Sequence, residues 1–233
     1  MGDDALAYWA LRSHVVTGTV ALVMGAVALV ARKGGHWHRH CGRVYVWFMA
    51  LVCASAVVVA VHDHEPFLLD LALFVFYLAF SGRRSLARRR AAPRPRAAWV
   101  DWLAVATAAG ATVGLAGQAR AASSADVRVI SACFATLSAF VVAADVWEIV
   151  GVPPLPRPWW CFHMLKMVGS FIGAVTAVIV VQVPSLPFIV RYVGPPLVLI
   201  PLLLAWMAYY WLRFRRPTSA QRPAVRALRA AAG

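Results

Sequence analysis

The sequence predicts an all-α, polytopic membrane helix bundle of seven transmembrane helices, with its N-terminus outside and its C-terminus cytoplasmic. Three observations predict it. Of 233 residues, 62% are hydrophobic and 14% charged, against about 45–50% and about 25% in an ordinary soluble domain. The apolar residues come in runs close to the roughly 20 residues that a helix needs to cross the hydrocarbon. The cations are also segregated. Nineteen of the 23 Lys and Arg fall in alternate connections and at the C-terminus, and four on the other side, which is the bias that orients membrane proteins. This pattern excludes a soluble enzyme, a disordered chain and a disulfide scaffold.

The elements follow in order. Ser13–Ala31 is uncharged between Arg12 and Arg32, and Val44–Val61 is the second run. Pro66–Gly82 is interrupted only by Asp70. Trp102–Ala119 is the fourth run. Val129–Ala144 is the fifth and continues through Asp145 and Glu148. Trp159–Val183 carries His163 and Lys166 near its start, and Val193–Leu212 is the last. Backbone groups in lipid must be satisfied within each segment, so runs this long and apolar are helices. Residues 1–216 form the transmembrane domain, and 217–233 a flexible basic cytoplasmic tail. The N-terminus begins with Asp3 and Asp4, not the basic region of a signal peptide.

The net charge of +14 does not indicate nucleic acid, because the cations sit in short connections between apolar runs. There they set topology and contact anionic lipid headgroups at the cytoplasmic face of a prokaryotic cell membrane. Gly110 and Gly114 have GxxxG spacing, followed by Gly117. Gly169 and Gly173 repeat that spacing on the sixth span, and Gly18 and Gly25 lie on the first. Such faces pack helices within the bundle or pair two copies as a homodimer. The four cysteines show no metal spacing.

Ionisable residues at membrane depth are the candidates for chemistry. His36, His38 and His40 alternate in the basic loop from Arg32 to Arg43. Asp145 and Glu148 lie three apart on the fifth helix, and His163 and Lys166 three apart on the sixth, so each pair shares a face. Three readings stand side by side. In the structural one, Asp145 or Glu148 pairs with Lys166, Arg39 or Arg43. In the second, a b-type haem is held by His163 alone or with a loop histidine, His38 first. Arg39, Arg43 and Lys166 then neutralise its propionates. In the third, His163 binds a divalent metal with Asp145 or Glu148. His14, at the opposite end, is an interhelical hydrogen-bonding group or an outer ligand, with Asp70, His62 or His64 as partners. A small-solute or proton transporter and a structural or assembly subunit are the alternative functions.

Several motifs carry a resemblance. His14, Gly18 and Gly25 precede Arg32-Lys33-Gly34-Gly35, His38-Arg39, Gly42-Arg43-Val44-Tyr45 and Met49. Further on come Phe76-Tyr77, Ser81-Gly82-Arg83-Arg84, Asp101-Trp102, His163-Met164, Met167 and Gly169-Ser170. Across most of residues 13–190 the chain resembles the polytopic membrane proteins grouped as domain of unknown function 2306. That resemblance implies no activity, but it singles out His14, His38, Arg39, Tyr45 and His163. More distantly, the chain is similar to transmembrane ascorbate-reducible b-type cytochromes, which implies histidines that open helices beside a basic segment.

Overall fold

The computed structural model describes residues 2–89, 97–150 and 159–215. They form α1 (Gly2–Val30), α2 (His36–His62), α3 (Pro66–Arg89), α4 (Trp99–Ala121), α5 (Ala125–Val150), α6 (Trp159–Gln182) and α7 (Phe188–Arg215). All seven are long and apolar enough to cross a membrane, and no strand occurs among the described residues. The chain is therefore a multi-pass membrane bundle. The basic tail 217–233 and Arg157 lie outside the described residues.

The helices outrun the apolar runs because hydrophobicity marks the part in hydrocarbon, not the ends of the helix. α1 starts at Gly2, well before Ser13, and α7 at Phe188, before Val193. The largest difference is at α2. His36, His38 and His40 do not lie in a loop; they form its first turns. The chain reverses instead at Gly34, whose φ of 74° is left-handed, a conformation glycine adopts without penalty. α7 holds Pro195, Pro196 and Pro201 within its helical span. Neighbouring groups in a bundle can re-satisfy the carbonyls that prolines leave.

α3 lies at the centre, packed on α2, α4, α5 and α6. α1 runs along α2, α4 along α5, and α6 lies between α3 and α7. Two apolar clusters fill the interior. One joins α3, α4 and α5 through Phe74, Tyr77, Leu78, Val105, Ala108, Val141 and Ile149. The other joins α1, α2 and α3 through Ala21, Tyr45, Met49, Val75 and Ala79. The outside is as apolar as the inside, with Val113, Phe140, Val181 and Leu197 exposed. Water would penalise such a surface, and lipid does not.

Glycines set the close approaches. A Cβ on Gly173 would lie 2.7 Å from Val75, and one on Gly25 would lie 2.6 Å from the Phe171 ring. The Gly faces on α1 and α6 thus serve contacts within the chain. On α4, Gly114 meets the Asp70 carboxylate, whereas a Cβ on Gly110 or Gly117 would meet nothing within 4 Å.

Candidate functional site

At the Arg-rich end, α1, α2, α6 and α7 surround a cavity of about 560 Å³. Its wall is mainly apolar and aromatic, with Phe171, Trp160, Trp206 and Tyr210. Its polar groups are few: Lys33, His38, Arg39, Tyr45 and His163. An apolar pocket with a few convergent polar groups is the usual form of a small-molecule site.

The two histidines come from the first turns of α2 and α6, and their ring centroids are 6.4 Å apart with planes at 84°. His38 Nδ1 lies 2.9 Å from the Ala28 carbonyl of α1, and His163 Nδ1 lies 2.9 Å from the Gly82 carbonyl of α3. A carbonyl only accepts, so Nδ1 carries the proton in both rings. In the neutral form of each ring Nε2 carries the lone pair, and it has no hydrogen-bond partner among the described residues. A backbone carbonyl fixing Nδ1 is the usual support of a metal-ligating imidazole.

Tyr45 is buried and its hydroxyl lies 2.9 Å from Ser170 Oγ, which donates to the Val75 carbonyl at 3.0 Å. This links α2, α6 and α3 behind the cavity. Arg39 lines the cavity, whereas Arg43 is exposed on α2.

Lys33 is a residue that sequence reasoning missed. Its Nζ donates to the Ala28 carbonyl at 3.2 Å and to the Leu29 carbonyl, and lies 4.3 Å from the centre of the Trp206 ring. The available signal was a cation just beyond the last turn of a helix, where carbonyls lack partners. Half-burial pulls the ammonium from 10.5 down to about 8. Between those values the unfolded chain keeps a proton that the folded chain has shed. Stability therefore rises with pH across this window, and the cost of the half-buried charge is fully present below about 8. The gain is small, because solvent screens a half-exposed charge. Lys33→Met is expected to flatten this slope, read as unfolding midpoints in detergent from pH 7.5 to 10.5; an unaltered slope would assign the titration to another group.

A second cluster lies deeper, between α3, α5 and α6. Lys166 and Asp145 form an ion pair and are 2% and 1% exposed. Tyr77 donates to Asp145 at 2.6 Å, Glu148 lies 3.6 Å from Lys166, and Ser85 Oγ lies 3.5 Å from it. Of the partners expected for the acids, Lys166 is thus the one found. Two of the expected groupings are not brought together. Lys166 does not line the cavity, so it is not placed to bind a ligand's acidic group there. His163 lines the cavity, whereas Asp145 and Glu148 lie beside Lys166, so the structure does not gather these three. No group of three His, Cys, Asp or Glu suited to a metal occurs among the described residues. The reason is a helix rotation. His163 and Lys166 are three residues apart, about 60° short of a full turn, which is enough to aim them into different clusters.

His14 is not brought to Asp70, His62 or His64. Its Nδ1 lies 3.2 Å from both the Val52 carbonyl and Ser55 Oγ of α2, tying α1 to α2. Asp70 takes Gln118 Nε2 at 2.7 Å instead, and His62 lies beside Asp63 and Asp4. Arg84 clasps Asp101 through two bonds of 2.8 and 2.7 Å, which fixes the end of α3 to the start of α4.

No family model, no curated protein and no solved structure matches the chain.

Proposed function

We propose that this is a redox-type protein of the prokaryotic cytoplasmic membrane whose cavity holds one b-type haem between His38 and His163. The observation that carries the reading is the pairing of those two rings in the cavity wall, each with Nδ1 held by a carbonyl. His38 and His163 would hold such a group through the ring nitrogens not bound to the carbonyls. The aromatic wall suits a planar macrocycle, and Lys33 and Arg39 in the same wall suit its two carboxylates. Such a group supplies one-electron transfer. The protein's own contribution is to exclude water, to orient both imidazoles and to neutralise the acid groups.

The segregation of cations supports placing this end of the bundle on the cytoplasmic side, with the N-terminus outside. Anionic headgroups would gather there.

The test is an absorption spectrum of the detergent-purified full chain, oxidised and then dithionite-reduced. A Soret band with sharpened reduced bands is expected, with occupancy lost in both His38→Ala and His163→Ala. A colourless protein, even when expressed with added haem, would overturn the proposal. So would a coloured protein in which both variants keep the wild-type spectrum.

A further inference from the structure

We infer that the interior between α3, α4 and α5 conducts protons between the two ends of the bundle, along a line of buried polar groups separate from the histidine cavity. Ser131, Ser138 and Asp145 follow one another at seven-residue steps on α5, and are 0%, 0% and 1% exposed. Seven residues are two turns, or about 10.5 Å, and return to nearly the same face. The stripe therefore covers roughly 21 Å of a hydrocarbon layer of about 30 Å.

The facing helices extend the stripe. Thr112 of α4 lies 2.7 Å from Ser138 Oγ. On α3, Asp70, Tyr77, Ser81 and Ser85 recur at steps of seven, four and four, which keeps them on one face. The Arg-rich end of the line is Glu148, Lys166, Asp145 and Tyr77. The opposite end is Asp70 with Gln118. A half-buried carboxyl thus stands at each end, at Glu148 and Asp70.

The buried hydroxyls supply an independent observation. Ser81 Oγ and Ser131 Oγ are fully enclosed and have no hydrogen-bond partner among the described residues, and Gln118 Oε1 is in the same state. All three belong to this line. Leaving a polar atom unpaired in an apolar interior is costly, and bridging water is the usual remedy. The groups without partners therefore mark where water would link the polar side chains across the gaps between them. Phe74, one turn from both Asp70 and Tyr77 and 1% exposed, narrows the route.

The transfer balances one proton entering against one leaving. Glu148 takes a proton from water at the Arg-rich end. Lys166 gives one to Asp145 and regains one from Glu148. Asp145 passes it to the Tyr77 oxygen, which releases its own proton to the adjoining water. Water carries the proton past Thr112, Ser138 and Ser131 to the Asp70 carboxylate, which returns it to solvent. Only O–H and N–H bonds form and break. An ammonium in the path also repels sodium and potassium, so protons are selected by exchange and not by size.

The test uses the full chain in liposomes that contain a pH-sensitive dye, with a membrane potential set by potassium and valinomycin. Wild type is expected to acidify the lumen at least tenfold faster than protein-free liposomes, with no reductant present and no sodium flux. Asp145→Asn is expected to abolish this flux. Ser138→Ala, which removes one hydroxyl and leaves Thr112 its bond to the Ala108 carbonyl, is expected to lower it at least fivefold in protein that elutes as wild type does. A wild-type flux equal to that of empty liposomes would overturn the inference. So would Ser138→Ala and Asp145→Asn liposomes that acidify as fast as wild type.

Discussion

Lys166→Met is expected to destabilise the bundle by about 3–5 kcal/mol, the usual cost of stranding one member of a buried ion pair. The ammonium sits between Asp145 and Glu148, with Ser85 near it, and it is almost fully enclosed. Removing it leaves the Asp145 carboxylate with the Tyr77 hydroxyl bond as partial compensation. The Asp145 carboxylate then loses the attraction of the ammonium in an apolar interior, which costs free energy. The double variant Asp145→Asn with Lys166→Met should be more stable than the sum of the two single losses predicts. The amide oxygen that replaces the carboxylate still accepts from Tyr77, and the double variant removes both charges of the buried pair. The coupling should fall in the range of about 0.5–3 kcal/mol found for residues in contact. Denaturant unfolding of all four proteins in the same detergent measures it. A Lys166→Met protein within about 0.5 kcal/mol of wild type would mean that the pair does not hold α5 to α6.

Gly82→Val should be the next most damaging change, because it acts on both clusters together. A Cβ at this position would lie 3.0 Å from Lys166 Cβ, 3.1 Å from Met167 Cγ and 3.2 Å from the Met167 backbone nitrogen. The Met167 side chain can turn away, but its backbone cannot, so α6 must withdraw from α3. The Gly82 carbonyl is also the partner of His163 Nδ1. The substitution should therefore cost about 1–3 kcal/mol through overpacking and also release the His163 ring from its fixed orientation. Gly82→Ala should give the same effects in weaker form. Thermal unfolding in detergent measures the first effect, and the spectrum or ligand occupancy of the cavity the second. Normal stability in Gly82→Val would show that the α3–α6 contact is loose.

The histidine cavity and the ionic cluster are neighbours along the α3–α6 contact. His163 and Lys166 stand three apart on α6, and α3 supplies Gly82 to one and Tyr77 and Ser85 to the other. A disturbance of α6 therefore reaches both, whereas Ser138 and Ser131 lie farther along α5 and can be altered without touching the cavity.

Seven apolar runs, the segregation of cations and the ionisable residues at the Arg-rich end were legible in the sequence. Hydrophobicity and charge are properties of residue type, and lipid sorts segments by them directly. The histidines, acids and lysine near that end were all visible as well. Their grouping was not. Periodicity shows which residues share a face of one helix, but not which neighbour that face meets. His163 and Lys166 looked like members of one site, and the rotation of α6 against α3 sends one to the cavity and the other to Asp145. His14 looked free to meet Asp70, but the α1–α2 pairing gives it to Ser55 and Val52. Lys33 looked like one more topological cation, and only the fold of the Gly34 turn brings it against Trp206 and the cavity. The sequence by itself determined the class of protein, the number of spans and the end at which charge collects. Tertiary structure decided the partners, because partners depend on helix rotation and close approach, which are set by small residues and packed side chains on several helices at once.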